Sequence, residues 1–309
     1  MDTTLDAPIN TMKYMLLQNT VCVLQTVVPD YRRPVFYRMR SIWEEHFVLY
    51  SGAEYFTPGL EFDSIDESWF YSLENIFFLK KKICWQKGSI SKNCSPSVLI
   101  VEANPRIVST WVIILIRLVL RRPTILWGHV WSIKGKHSIS NKIRMVMFRL
   151  ADAIVCYTSS QREELIEYLG RRYSKKIFAA PNAVFMRDEC ITVRNKSRPT
   201  DIIYVGRLID AKKPMLLLEA YVQALSCLPE NCCLLYVGAG KQMSALKARV
   251  SKLGLSRRVV FYGHVGEQAK LREIYSKALL SVSPGYVGLS AIQSFAFGVP
   301  MLVADKESH

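Results

Sequence analysis

The sequence predicts an α/β protein built as two successive doubly wound domains. Three observations carry this. Short β-branched runs alternate with longer amphipathic stretches, and the runs are continuously apolar, as strands covered on both faces must be. The alternation then restarts after a polar segment bracketed by prolines. A chain of 309 residues is long enough for two domains, each with its own core. The domains are placed at 1–180 and 201–309, with a linker at 181–200.

In the first half, 21–28 (VCVLQTVV), 46–52 (HFVLYSG), 75–80 (NIFFLK), 97–103 (SVLIVEA), 124–130 (TILWGHV) and 153–158 (AIVCYT) read as strands. The clearest helices are 139–151 and 160–169, the second opened by Ser159 or Ser160 with Glu163 and Glu164 in its first turn. The stretch 107–120 (IVSTWVIILIRLVL) is nearly all apolar, but it is fourteen residues long and interrupted by Arg117. That is short of the ~20 residues that span a bilayer. It reads as a buried helix between two strands; the alternative is a helix lying in a membrane interface, with Arg121 and Arg122 at its end. In the second half, strands are expected at 201–206, 232–238, 258–263, 279–283 and 300–305, and helices at 214–228, 240–253, 267–278 and 289–297. Regular strand–helix alternation implies a parallel sheet wrapped by helices.

Composition adds one anomaly, a net charge of +15. Between Lys80 and Arg149 stand fourteen Lys/Arg and one acid, Glu102. Apolar runs interleave with these charges, so the block reads as folded structure with a basic face and not as a disordered tail. Its partner would be an anionic membrane, a phosphorylated small molecule or nucleic acid. No nucleic-acid-binding motif supports the last, and no nucleic acid is expected. The eight cysteines, Cys190 among them, form no C-x-x-C and read as reduced core thiols. The opening MDTTLDAPIN is acidic and polar, which is not a signal peptide, and a cytoplasmic protein is expected. No D-x-D pair or His/Cys cluster points to a metal, and no cofactor is expected.

In doubly wound sheets, ligands sit at the carboxyl ends of strands. In 204–214 (YVGRLIDAKKP), Arg207 and Lys212 follow a strand and could form an anion site, the one with a planar fork and the other with a point charge. In 283–302 (SPGYVGLSAIQSFAFGVPML), Gly285 and Gly288 could let backbone amides approach a ligand at the start of a helix near Leu289. Leu289, Ile292 and Ala296 are expected to form that helix's core stripe, leaving Gln293 toward the ligand. His129 ends a strand in the first half, and Tyr31, Arg32 and Arg33 occupy the loop after the first strand.

At their spacings, YVGRLIDAKKP, YVGAGKQMSAL, VVFYGHV and SPGYVGLSAIQSFAFGVPMLVAD resemble family 4 glycosyltransferases. PNAV (181–184) resembles the turn ending that family's first domain, and PDYRRPVF and LWGHVWS look like its bacterial polysaccharide branch. The resemblance implies two Rossmann-like domains facing across a cleft (the GT-B type). It implies metal-independent, retaining transfer of a sugar from a UDP- or GDP-type nucleotide sugar to a glycan acceptor, as in lipopolysaccharide assembly. Arg207 and Lys212 would hold the donor diphosphate, and the amides of Gly288, Leu289 and Ser290 the phosphate nearest the sugar. Backbone at His264 and Val265 would meet the base, and His129 the donor sugar. Tyr31, Arg32 and Arg33 would lie on the acceptor side, with a lipid-diphosphate acceptor on an anionic, cytoplasm-facing membrane.

Two departures stand out. The family has glutamates where this sequence has Gly285 and Gln293. A Gln still accepts a ribose hydroxyl through its carbonyl oxygen. The family also continues with further elements, including a helix that crosses back to the first domain, so the C-terminal domain is expected to be incomplete. A non-catalytic donor-binding relative and a nucleotide-sugar epimerase are the alternatives.

Overall fold

Every run read as a strand folds as one in the computed structural model, which describes residues 20–56, 65–132, 136–182, 184–185 and 198–305. Cys190 and most of the expected linker lie outside the described residues. The chain divides into two compact units, Met1–Ala183 and Val184–His309.

In the first unit the strands are β1 (Val21–Gln25), β2 (Phe47–Gly52), β3 (Phe70–Phe78), β4 (Ile83–Lys87), β5 (Val98–Glu102), β6 (Thr124–Trp127), β7 (Ala153–Cys156) and β8 (Ile177–Ala179). They form one sheet in the order β4-β3-β2-β1-β5-β6-β7-β8. Helix α1 (Arg33–Trp43) buries Phe36 on one face of that sheet, in a core with Val23, Leu49 and Trp127. On the other face lie α2 (Ser89–Asn93), α3 (Val108–Val119), α4 (Ile139–Leu150) and α5 (Ser159–Leu169). Ile113, Met145, Phe148 and Leu165 from this layer pack onto Leu24, Val101, Leu126 and Ile154.

The structure corrects three expectations here. The sheet is not wholly parallel, because β3 and β4 form an antiparallel hairpin at its edge. Leu79, Lys80 and Lys81 make the turn, at φ of 50°, 54° and 60°. The triple lysine marks a solvated turn, while the short mixed run ICWQK carried no strand pattern. The 160–169 helix is capped by Thr158, whose Oγ1 accepts from Gln161 N at 3.0 Å, so Glu163 and Glu164 sit beyond its first turn. The basic block is also not one face. Arg117 is fully buried, Arg106 stacks on Phe56 at 3.7 Å and Arg144 turns toward His129.

Helix α3 does run between β5 and β6, but only its inner face is buried, through Ile113, Ile114 and Arg117, while Leu115, Leu118 and Val119 are exposed; Arg117 reinforces the buried side. Its Nη1 donates to the carbonyls of Asn93, Cys94 and Pro96, its Nη2 to those of Ser97 and Pro123, and its Nε to Thr124 Oγ1. A buried cation with its donors satisfied fastens the 93–97 segment to the start of β6.

The second unit is a parallel sheet of β9 (Asp201–Val205), β10 (Leu234–Val237), β11 (Val259–Gly263), β12 (Ala278–Ser283) and β13 (Met301–Val303), in the order β11-β10-β9-β12-β13. Helices α6 (Pro214–Ala224) and α7 (Met243–Lys252) cover one face through Leu218, Tyr221, Leu246 and Val250. Helices α8 (Gln268–Tyr275) and α9 (Ser290–Ala296) lie between β11 and β12 and between β12 and β13. Leu271, Ile274 and Phe297 form the core of the opposite face.

Described cysteines are free thiols, with Cys22, Cys84, Cys156 and Cys232 buried. Burial pushes the Cys22 and Cys84 thiols up to about 12, so they are inert at neutral pH.

Candidate functional site

The order of the second sheet reverses at β9, which lies between β10 and β12. The crevice beyond the carboxyl ends of β9 and β12 is therefore where such a sheet takes a ligand. The loops bordering it are the two that sequence reasoning singled out.

After β9 the chain runs through a 3-10 turn, Asp210–Lys212, and Lys213 at φ 50° leads into Pro214 at the start of α6. This turn buries Lys212, which is 7% exposed. Its Nζ donates to Val287 O at 2.8 Å and lies 4.2 Å from the Tyr286 ring centroid. Tyr286 N in turn donates to Ala211 O at 3.2 Å. Burial first, and then the neighbouring charge of Arg207, lower the Lys212 ammonium to about 8. Two cations, one stripped of most of its water, favour a bound anion. Arg207 is positioned through its own carbonyl, which accepts from Tyr204 Oη at 2.8 Å.

Gly285 packs against this same turn. A Cβ there would stand 2.5 Å from Ala211 O and 2.8 Å from the Lys212 carbonyl carbon. No side chain fits without moving the backbone, so the missing carboxylate is a consequence of how closely the two loops approach. Gly288 takes φ 63°, which favours glycine, and leads into α9. Ser290 Oγ donates to Val287 O at 2.7 Å, sharing that carbonyl with Lys212.

The expected core stripe of α9 is corrected. Ser290, Ser294 and, just past the helix, Phe297 are buried, whereas Ile292 is exposed and Leu289 and Ala296 half-buried. The serines can turn inward because local carbonyls accept their hydroxyls, Ser294 Oγ donating to Val299 O at 2.7 Å. Gln293 is half-buried beside them, its backbone N–H donating to Leu289 O at 3.1 Å. His264 and Val265 follow Gly263 at the end of β11, with β10 between them and β9.

The first sheet reverses between β1 and β5. There Thr26 donates to Glu102 Oε2 through N (3.2 Å) and Oγ1 (2.5 Å), while Asn104 Nδ2 donates to Oε1 (3.1 Å). Glu102, the one acid of the basic block, thus lies at the switch point. Arg32 is buried beside it, with Nη1 donating to Gln25 Oε1 at 2.9 Å and Nη2 to Tyr157 Oη. Its guanidinium lies 4.7 Å from the Trp127 ring centroid. The ring of His129 meets Tyr157 edge-on at 4.6 Å. His129 reaches solvent, yet surrounding protein and then Arg144 and Arg32 push its imidazole down. It is therefore neutral at neutral pH and able to accept a hydrogen bond.

The structure brings Arg32 and His129 together through Tyr157. Tyr31 is half-buried, 5.9 Å from the Arg32 guanidinium, and Arg33 opens α1. Sequence reasoning missed Tyr157, Arg144 and Tyr286. Tyr157 alone carried a usable signal, ending a predicted strand as His129 does. A hollow of about 390 Å³ between α1 and the sheet is lined by Val35, Met39, Ile125 and Val155, with Arg32 at its wall. Its mostly apolar lining suits neither sugar nor phosphate.

Residues 188–309 match the family model "Glycosyl transferases group 1". The O-antigen biosynthesis glycosyltransferase WbnH of Escherichia coli is 28% identical over 195 residues, covering 62% of this chain and 54% of that protein. The chain thus spans about half the length of the curated relatives it matches. Among solved structures, Anabaena Alr3699/HepE in complex with UDP superposes with a TM-score of 0.60 at 12% identity, covering 93% of this chain and 81% of that one. The UDP-GlcNAc 2-epimerase from Methanocaldococcus jannaschii gives 0.59 at 10% identity, covering 94% and 84%. At such identities the likeness is one of fold. The paired cations and the loop that packs on them lie within residues 188–309, the stretch that matches the glycosyl transferases group 1 model.

Proposed function

We propose that the chain transfers a sugar from a UDP- or GDP-type nucleotide sugar, with retention and without a metal, to a lipid-linked glycan acceptor of cell-envelope polysaccharide. The observation that carries this reading is Lys212, a buried cation beside Arg207 at the switch point of a glycosyl transferases group 1 domain. WbnH acts in O-antigen biosynthesis, and HepE is seen with UDP, which supports the same direction here.

In the transfer, the bond from the anomeric carbon to the diphosphate oxygen breaks and its electron pair stays on the diphosphate. A new bond forms from the acceptor hydroxyl oxygen to the same face of that carbon, and the hydroxyl proton passes to the departing diphosphate oxygen. Charge grows on the diphosphate as this happens, and fixed cations stabilise it without reorganising. Helix α9 has only seven residues, so Lys212 and Arg207 rather than its dipole supply that stabilisation. Main chain around Gly288 and Ser290 would line the phosphate nearest the sugar. Gln293 would accept a ribose hydroxyl, and backbone at His264 and Val265 would meet the base. Neutral His129 would accept a donor-sugar hydroxyl. Arg32 would act through Tyr157 and Trp127, leaving Tyr31 and Arg33 to the acceptor. With no side chain at Gly285, main chain would grip the sugar there.

Among the described residues no helix is long and apolar enough to cross a membrane. The first unit is proposed to meet an anionic membrane surface at the cytoplasmic face.

The epimerase likeness motivates a second reading, against which Gly285 counts, since epimerisation needs acids and bases around the sugar. The test is incubation of a UDP- and GDP-sugar panel with a polyprenyl-diphosphate-linked glycan, read by NMR. Acceptor-dependent release of nucleotide with a retained anomer supports the transferase. A new epimer formed without acceptor supports the epimerase. Nucleotide binding with neither product leaves a donor-binding relative.

A further inference from the structure

We infer that the phenol of Tyr286 is a further donor to the diphosphate, beside Lys212 and Arg207, and that it meets the phosphate nearest the sugar. The inference rests on the donor site proposed above and assigns it a residue that paired cations do not predict. Tyr286 lies on the loop between β12 and α9 and stays 41% exposed. Its main chain is held nonetheless. Its N–H donates at 3.2 Å to Ala211 O, on the turn that carries Lys212, and the Lys212 ammonium lies 4.2 Å from its ring centroid.

Gly288 marks the space that the phenol borders. A Cβ built there would stand 3.5 Å from Tyr286 Oη and 3.5 Å from Lys212 Nζ. One point is thus equally close to a hydroxyl and to an ammonium. The glycine leaves that point open, and its φ of 63° disfavours any residue that would fill it. A phosphate seated over Gly288 offers separate oxygens to the two donors.

The two donors differ in how they are held. Lys212 Nζ donates to Val287 O at 2.8 Å, whereas the Tyr286 hydroxyl has no hydrogen-bond partner among the described residues. No carboxylate on these two loops competes for it. Residues 206–213 and 284–290 hold one acid, Asp210, which is paired with Lys241 and Gln242. Solvent can accept from the phenol, but a phosphate oxygen makes the stronger bond, since charge roughly doubles its strength. That bond gains further as the link to the sugar breaks and charge grows on the diphosphate. A neutral phenol supplies it without adding to the charge of two neighbouring cations.

Tyr286→Phe tests this, because it removes the hydroxyl and keeps the ring against Lys212. The lost hydroxyl has no partner in the protein, so an unchanged Tm is expected. The wild type and the variant are titrated calorimetrically with UDP and UMP, with GDP and GMP, and with inorganic pyrophosphate. UDP or GDP affinity should fall about tenfold or more in the variant, as for a hydrogen bond to a charged group. UMP or GMP affinity should not change, because the monophosphate lacks the group that Tyr286 meets. Wild-type affinity of the variant for the diphosphate nucleotide overturns the inference. So does an equal loss for diphosphate and monophosphate, which would place the phenol on the base, the ribose or the first phosphate. Both results leave the nucleotide-sugar reading in place. Pyrophosphate binding that weakens in the variant, beside absent UDP and GDP binding, sinks that reading and keeps Tyr286 as a phosphate donor. Binding of none of these probes by the wild type overturns both.

Discussion

Gly285→Ala adds one methyl group at the tightest point of the candidate donor site. Its Cβ would stand 2.5 Å from Ala211 O, 2.8 Å from the Lys212 carbonyl carbon and 2.9 Å from its Cα. All three are backbone atoms, so rotamer changes give no relief. The two loops must part by roughly an ångström at the tightest contact to restore distances near 3.5 Å. Overpacking of this kind costs about 1–3 kcal/mol. For a unit of this size that lowers Tm by roughly 4 °C per kcal/mol. The displacement also moves Lys212 off Val287 O, since one turn carries both contacts. UDP affinity should therefore drop along with Tm, in a protein whose charge is unchanged. Gly285→Glu, which restores the family's side chain, should bind worse still, because it adds the same clash and a carboxylate near the phosphates. Differential scanning calorimetry and UDP titration read the two effects. Wild-type Tm and affinity for Gly285→Ala would refute the argument that close loop packing excludes a side chain there.

Three further outcomes are expected. Lys212 has a folded-state value of about 8, below its ordinary one, so the unfolded chain binds more protons between about 8 and the free lysine value. Ligand-free stability should rise with pH across that window on its account, while UDP affinity should fall as pH passes 8 and the ammonium is lost; a flat affinity from pH 7 to 9 would count against a phosphate role. Gln293→Leu should lose about 1–3 kcal/mol of nucleotide binding by leaving a ribose hydroxyl unpaired, with Gln293→Glu tolerated; wild-type affinity for the leucine variant removes Gln293 from the site. Arg117→Leu strands carbonyls at Asn93, Cys94, Pro96, Ser97 and Pro123 and should cost about 3 kcal/mol or more, seen as a lower urea midpoint.

The sequence showed the fold wherever a strand was continuously apolar, as at Val21–Gln25 or Leu234–Val237, because burial on both faces leaves no other pattern. It hid β4, where Gln86 is buried by donating to Gln25 O and Asn75 Oδ1. A satisfied polar residue inside a strand looks like a loop residue. The same limit misled the reading of α9, where buried serines and an exposed Ile292 invert the hydrophobic stripe. At the candidate site, Arg207 and Lys212 were legible as cations after a strand. That Lys212 is buried against Tyr286, and that Gly285 has no room for a side chain, depends on a contact between residues more than seventy positions apart. No local pattern records such a contact.

The central claim is that Lys212 and Arg207 hold the diphosphate of a nucleotide donor. Isothermal titration of UDP and GDP into the wild-type chain, Lys212→Ala and Arg207→Ala tests it most directly. Each variant loses a charge-assisted bond worth about 1.5–3 kcal/mol, so affinity for the bound nucleotide should fall by about tenfold or more in both, with Tm of the ligand-free proteins holding or rising for Lys212→Ala. Equal affinity in all three proteins would contradict the claim.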